Sequence, residues 1–196
     1  MGADPIIVLK IGGSLAEGPS LPRWLATLPA GRGHAVVVPG GGVFADAVRH
    51  EQQRLGFSDR AANRMALLAM EQYALALADL VPDLAPCRTI EEIRAALAAG
   101  RIPIWLPTTL ALADPAIPES WEVTSDSLAA WLAGRLGART LVLVKSIAAP
   151  RPLEPAVLAA KGMVDTAFPR FFRDGALALD WVGPGEEGRL ADLLAA

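Results

Sequence analysis

Cysteine is all but missing from this chain. Cys87 stands alone, so no intrachain disulfide can form and a reducing, cytoplasmic setting is expected. Its neighbours Pro86 and Arg88 suit an ordinary strand residue better than a nucleophile. Basic residues form no block and the formal net charge is only −3, which leaves no electrostatic footprint for nucleic acid. No run of about 18 uncharged apolar residues occurs, so no membrane span is expected. The first apolar strand begins by Pro5, where a signal peptide has no room. Repeats, low-complexity linkers and domain boundaries are absent too, so residues 1–196 are expected to form one domain. What the chain does have is apolar side chains, 53% of it, enough for a substantial core.

Pro5-Ile6-Ile7-Val8-Leu9-Lys10-Ile11-Gly12-Gly13-Ser14-Leu15 organises the rest. A short β-branched run closed by glycines reads as a strand buried on both faces. Lys10 at its end is costly to desolvate unless something anionic meets it. Gly12 and Gly13 allow close backbone approach, and successive free N–H groups at such a turn make an anion-binding concavity. The ordinary alternative is a lysine that snorkels to water. A second strand, Ala35–Val38, runs through Pro39 into Gly40-Gly41-Gly42, and Val43 to Arg49 then has helical spacing. Strand, glycine loop and helix N-terminus again suit an anion. The pattern is neither a Walker loop nor Gly-x-Gly-x-x-Gly. Two such turns fit a ligand with two phosphoryl ends, or a donor and an acceptor.

Along the chain, Ser20 is placed to cap a helix carrying Leu21, Trp24, Leu25 and Leu28. Ser58-Asp59 opens a long helix through Leu80, ended by Pro82. Arg60 and Arg64 share one of its faces, either solvated or facing a phosphorylated substrate. A capped helix is expected from Thr89 to Ala99, a strand over Ile102–Pro107 and an irregular loop over Thr108–Glu119. Thr124 or Ser125 would cap the helix that follows, with Asp126 in its first turn, where the dipole favours a carboxylate. Thr140–Val144 reads as a buried strand, the second half of Lys161–Asp174 as helix and Ala176–Trp181 as a final strand. Alternating strands and helices give an α/β class with a mainly parallel sheet.

Lys10-Ile11-Gly12-Gly13-Ser14 and Pro39-Gly40-Gly41-Gly42 resemble the two opening motifs of the amino acid kinase superfamily. Within it, Ser120-Trp121 before Val123-Thr124-Ser125-Asp126-Ser127-Leu128, Leu106-Pro107-Thr108 and Val164-Asp165-x-x-Phe168-Pro169 are most similar to kinases of aminomethylfuran phosphate in methanofuran biosynthesis. The last stretch also resembles uridylate kinases. The resemblance implies a three-layer α/β/α sandwich of the carbamate kinase-like type, a homo-oligomer, and transfer of phosphate from ATP with Mg2+ onto a small phosphomonoester. It implies that Asp126 orients lysines beside the phosphates, so that Asp126→Asn is expected to cost rate far more than stability. Lys10 and Asp126 are then the catalytic pair. Gly12, Gly13, Ser14, Lys145 and Ser146 face the nucleotide, with the backbone of the first three donating N–H groups. Gly40, Gly41, Gly42, Arg49, Arg64, Trp121 and Thr124 hold the acceptor, and no protein residue is assigned to a metal. Trp121 either lies over an aromatic acceptor ring or packs in the core.

One loop departs from the family. After the strand at 140–144 such kinases carry Thr-Asp-Val-Asp-Gly-Ile/Val-Tyr, whereas this chain reads Lys145-Ser146-Ile147-Ala148-Ala149-Pro150-Arg151. Two acids and a glycine give way to two cations and a proline. Lys145 can neutralise phosphate oxygens in their place, point to solvent, or pair with Asp126. A non-catalytic homologue that binds a phosphorylated or anionic ligand therefore stands as the alternative to a kinase.

Overall fold

The computed structural model describes residues 5–172 and 177–195. The strands are β1 (Ile7–Ile11), β2 (Ala35–Pro39), β3 (Leu84–Cys87), β4 (Ile102–Trp105), β5 (Thr140–Val144) and β6 (Ala178–Val182), of which β1, β2 and β5 are the β-branched runs. They build one sheet of order β3-β4-β2-β1-β5-β6, and every neighbouring pair is parallel. The helices are α1 (Leu21–Leu25), α2 (Gly42–Leu55), α3 (Asp59–Leu80), α4 (Ile90–Ala98), α5 (Thr108–Ala113), α6 (Ser125–Leu136), α7 (Pro155–Ala160), α8 (Phe168–Phe172) and α9 (Glu187–Ala195).

The two-residue period of a strand divides the core into two layers. Val8, Leu141 and Leu143 join the layer containing α6 and Phe168, whereas Leu9, Ile11, Val142 and Val144 join the one containing Trp24 and Leu190. Helix α3 serves both, giving Leu67 and Met70 to the first and Tyr73, Ala74 and Leu77 to the second. The result is the expected α/β/α sandwich. By the same period Lys10 shares the face of Val8, beneath α6.

The order also fixes where a ligand is to be sought. From β1 the chain moves to β2 and onward to one edge, then returns to β5 on the other side of β1. Crevices outside the carboxyl ends of strands at such a reversal are where open α/β sheets bind ligands. Lys10 and Lys145 stand at the carboxyl ends of those two neighbouring strands, whose last paired residues are Ile11 and Val144.

Several expectations change in detail. Thr108–Ala113 is a short helix rather than loop, because the breakers Pro115 and Pro118 lie beyond it. The Ser20 hydroxyl makes no cap bond, and α1 stops at Leu25 before a separate 3-10 turn over Leu28–Gly31 opened by Pro29. Helix α7 is additional, with Pro155 at its first position. Ser58 and Thr89 do cap, accepting from the backbone N–H groups of Ala61 and Glu92. The expected ends at Asp174 and Ala176 lie outside the described residues, and β6 runs on to Val182.

Candidate active site

Two lysines meet on one carboxylate. Lys10 Nζ lies 2.9 Å from Asp126 Oδ1 and Lys145 Nζ lies 2.6 Å from Asp126 Oδ2. The side chains of Lys10, Asp126 and Lys145 are 5%, 7% and 12% exposed. Lys145 also donates to the carbonyl of Met163 at 3.0 Å. Its contact with Asp126 is an aligned hydrogen bond; that of Lys10 is an ion pair alone, leaving Oδ1 without a hydrogen-bond donor. Burial disfavours the Asp126 carboxylate, but the Lys10 and Lys145 charges outweigh it and hold the group below the usual range. Burial, with help from the Lys10 charge, lowers the Lys145 ammonium to about 8 against the pull of Asp126. Two cations and one anion out of water leave one positive charge uncompensated, and an anionic ligand is its natural complement.

Thr124 takes the N-cap position of α6 and Asp126 sits in its first turn, as expected. The Thr124 side chain makes no cap bond; its hydroxyl donates to Asp165 Oδ2 at 2.8 Å. Asp165 does the capping, with Oδ2 accepting from the N–H groups of Thr124 and Ser127 at 3.0 Å each and Oδ1 from the Ser127 hydroxyl. Burial raises the Asp165 carboxyl above its ordinary value despite those donors. Released from capping, Asp126 is free to hold the lysines.

The two glycine turns interlock. A Cβ on Gly13 would lie 2.3 Å from the nitrogen of Gly42, and one on Gly40 would lie 2.4 Å from the nitrogen of Gly13. Backbone stands in the way in both cases, so only glycine fits. Not every N–H here is available to a ligand. Gly12 donates to the Val144 carbonyl at 3.0 Å and Gly40 to the Ile11 carbonyl at 2.8 Å, which removes both from the expected donor set. The N–H groups of Gly13, Ser14 and Gly42 open a 3-10 turn and α2, where helical backbone supplies no acceptor. Ser14 of the first turn meets Ser146 of the loop after β5 through their hydroxyls at 3.0 Å.

A cavity of about 270 Å³ opens beside this cluster. Of the residues singled out from sequence, Lys10, Gly13, Ser14, Gly40, Gly41, Gly42, Arg49, Trp121, Thr124 and Asp126 line it. Lys145 lies across Asp126 and lines a second, shallower opening with Gly162, Met163, Asp165 and Thr166. Gly12 and Ser146 line neither. Arg64 is absent from both as well. Its guanidinium is 2.5 Å from Glu119, which also holds Arg60 at 3.2 Å, so the arginine pair closes on a loop carboxylate instead of a substrate. Trp121 is neither core nor open platform. Its Nε1 donates to Gln52 Oε1 at 2.7 Å, and the Arg49 guanidinium lies 4.6 Å from its ring centroid.

Sequence reasoning missed Asp165, Asn63 and Asp46. The last two line the cavity. Asn63 had a signal, since it stands in helical register with the buried stripe Leu67, Met70, Ala74 and Leu77. Asp165 stood in the motif over 164–169 but was given no role, because its partners lie 38 and 41 residues away.

Comparison with known proteins agrees with this geometry. Residues 5–149 match the model of the amino acid kinase family. A curated relative, the [5-(aminomethyl)furan-3-yl]methyl phosphate kinase of Methanocaldococcus jannaschii, is 26% identical over 142 residues. That match covers 71% of this chain and 65% of the relative, so just under two thirds of the relative's length is represented. Among solved structures, a uridylate kinase from Archaeoglobus fulgidus superimposes with a TM-score of 0.71 at 17% identity, covering 96% of this chain and 95% of that one. A UMP kinase from Ureaplasma parvum gives 0.67 at 14% identity, covering 97% and 94%. These two likenesses speak for the fold, and the match over residues 5–149 for the lineage: the chain belongs to the amino acid kinase family.

Proposed function

We propose that this chain transfers a phosphoryl group from ATP to the phosphate of a small phosphomonoester, giving a diphosphate and ADP. One observation carries the reading: a buried lysine, Lys10, and a largely covered one, Lys145, converge on one buried aspartate at the sheet's switch point, beside the N–H groups of two glycine turns. Phosphoryl transfer asks for in-line positioning and cancellation of charge on the moving group. Lys10 meets the transferred phosphoryl oxygens. Lys145 and the Gly13 and Ser14 N–H groups meet the nucleotide phosphates. Gly41 and Gly42 hold the acceptor phosphate at the start of α2. A new bond forms from an acceptor phosphate oxygen to the γ-phosphorus as the bond to the β,γ-bridging oxygen breaks. The attacking oxygen is already anionic and needs no general base. Asp126 is a positioning residue that keeps both ammoniums in place.

Magnesium belongs to the reading as the companion of ATP. Both Asp126 oxygens face ammoniums, and the described residues contain no cluster of three or more acid, histidine or cysteine groups suited to a metal. Magnesium would be brought to the site by the phosphates of ATP. The relative from Methanocaldococcus jannaschii is named for an aminomethylfuran phosphate. A 270 Å³ cavity with an apolar wall of Leu67, Met70, Val123 and Leu128 supports an acceptor of that size here, in methanofuran-type cofactor biosynthesis. The reading includes a cytoplasmic homo-oligomer. Met65, Leu68 and Leu75, left exposed on α3, support self-association, and no helix among the described residues is long and apolar enough to cross a membrane.

The test is 31P NMR of the protein with MgATP and [5-(aminomethyl)furan-3-yl]methyl phosphate. Paired diphosphate resonances growing with ADP are expected. Binding of the phosphomonoester with no diphosphate formed would favour the non-catalytic homologue. That alternative draws on the loop after β5, which carries no carboxylate over Lys145–Arg151 and is tied to β6 by Trp181 Nε1 donating to the Ile147 carbonyl at 3.1 Å.

A further inference from the structure

Among the described residues the buried polar or charged side chains are Lys10, Asn63, Asp126 and Ser127. Lys10 and Asp126 form the ion pair, and Ser127 belongs to the cap of α6. Asn63 belongs to neither. It is 6% exposed, sits on the buried stripe of α3 and lines the cavity beside Lys10 and the glycine turns. Its Nδ2 donates to the carbonyl of Ser120 at 3.1 Å. Only the amide nitrogen can donate to a carbonyl, so chemistry fixes which way the amide points. Nδ2 anchors the loop before α6, and Oδ1 has no hydrogen-bond donor among the described residues. Oδ1 is also not sealed in the interior like the orphaned Trp24, Tyr73 and Trp105 groups, which leaves the cavity as the place it faces. A leucine would continue the stripe of Leu67 and Met70 without an amide oxygen that lacks a protein partner.

We propose that Asn63 reads the acceptor: its Oδ1 accepts a hydrogen bond from an N–H or O–H group on the body of the phosphomonoester. This rests on the reading of the cavity as the acceptor site. The substrate class follows from the walls. The phosphate meets the α2 N-terminus, near Lys10. A compact apolar body lies against Leu67, Met70, Val123 and Leu128, and one donor group on that body reaches α3. Asp46, the other acid lining the cavity besides Asp126, is not the reader. It is 61% exposed and already paired with Arg49 at 2.6 Å. A site that leaves a buried acceptor unpaired rejects the analogue lacking the donor more strongly than an apolar pocket rejects a missing methyl group.

Calorimetry without nucleotide tests this independently of turnover. Three ligands share one furan-3-ylmethyl phosphate body and differ at position 5 of the ring: aminomethyl, hydroxymethyl or methyl. For the wild-type protein at least one of the first two is expected to bind about tenfold or more tightly than the methyl compound. In Asn63→Ala, folded as judged by circular dichroism, that preference is expected to fall within about threefold. The wild-type comparison needs no variant, so a misfolded substitution cannot decide it. Equal binding of all three, no binding of any up to millimolar concentration, or a preference unchanged in folded Asn63→Ala overturns the proposal. The 31P experiment fails separately. Donor-selective binding without diphosphate removes the kinase reading and keeps Asn63, whereas diphosphate formed with no donor preference does the reverse.

Discussion

At the scale of single residues, Lys10 and Asp126 differ in what their loss should do. Lys10→Ala removes one preorganised charge from the transferred group, and turnover is expected to fall about 10²–10³-fold in a folded protein. Diphosphate formation measured beside a circular dichroism spectrum checks this, and full activity would remove the catalytic assignment. From the sequence, Asp126→Asn was expected to cost rate with little loss of stability. The two lysine contacts give a different expectation. Neutralising Asp126 leaves two buried ammoniums facing each other, and breaking a buried pair typically costs about 3–5 kcal/mol. Asp126→Asn should lower both rate and melting temperature, and an unchanged melting temperature would show that the lysines find other partners. Lys10 was legible because a charge at the end of a β-branched run has few bland explanations. Arg64 was misread because helical spacing shows which face a residue occupies, not that Glu119 comes to meet it from a loop 55 residues on.

At the scale of elements, the glycine turns and α6 make opposite predictions for the same substitution. Gly13→Ala drives a Cβ to within 2.3 Å of backbone in the facing turn, which cannot yield as a side chain can. The turns should part, with loss of phosphate binding and a lower melting temperature. Gly134 lies inside α6 with nothing within 4 Å of an added Cβ. Gly134→Ala should therefore stabilise the protein by about 0.4–1 kcal/mol through the unfolded chain and leave ligand binding alone. Chemical denaturation of both variants tests the contrast. The strands and long helices were legible because β-branched runs and Ser58 and Thr89 caps are local signals. The cap of α6 was not, because Asp165 arrives from across the fold to do what Thr124 was expected to do.

At the scale of the whole molecule, the sheet order brings residues 10, 126 and 145 together. Only the parallel pairing of β1 with β5 makes Lys145 a neighbour of Lys10. The sequence left Lys145 with three destinations; it turns to Asp126 and not to solvent, and the proposal has it meet phosphate oxygens from that position. This placement links pH to stability and to binding with opposite signs. Between about 8 and the ordinary lysine value of 10.5, the folded protein has released the Lys145 proton that the unfolded chain still holds. The cost of burying that charge therefore stands in full below about 8 and is relieved as pH rises toward 10.5. Any stability advantage of Lys145→Met over wild type should shrink across that window. Taking the difference between the two proteins cancels Cys87, which burial pushes to about 11 and whose effect runs the other way. Phosphate binding needs the ammonium, so it should weaken over the range in which stability recovers.

Calorimetric titration of ATP into wild type and Lys145→Met, at pH 7 and pH 9, tests the central claim that this cluster of two lysines and one aspartate is a nucleotide-phosphate site. Wild type is expected to bind ATP at pH 7 and to lose affinity by roughly one proton's worth, about tenfold per pH unit above 8. Lys145→Met should bind about 10–100-fold more weakly at pH 7, as expected for a lost charge-assisted hydrogen bond, and show little of that pH dependence. Wild type that binds no nucleotide up to millimolar concentration, or a Lys145→Met protein that binds it as well as wild type, would contradict the account.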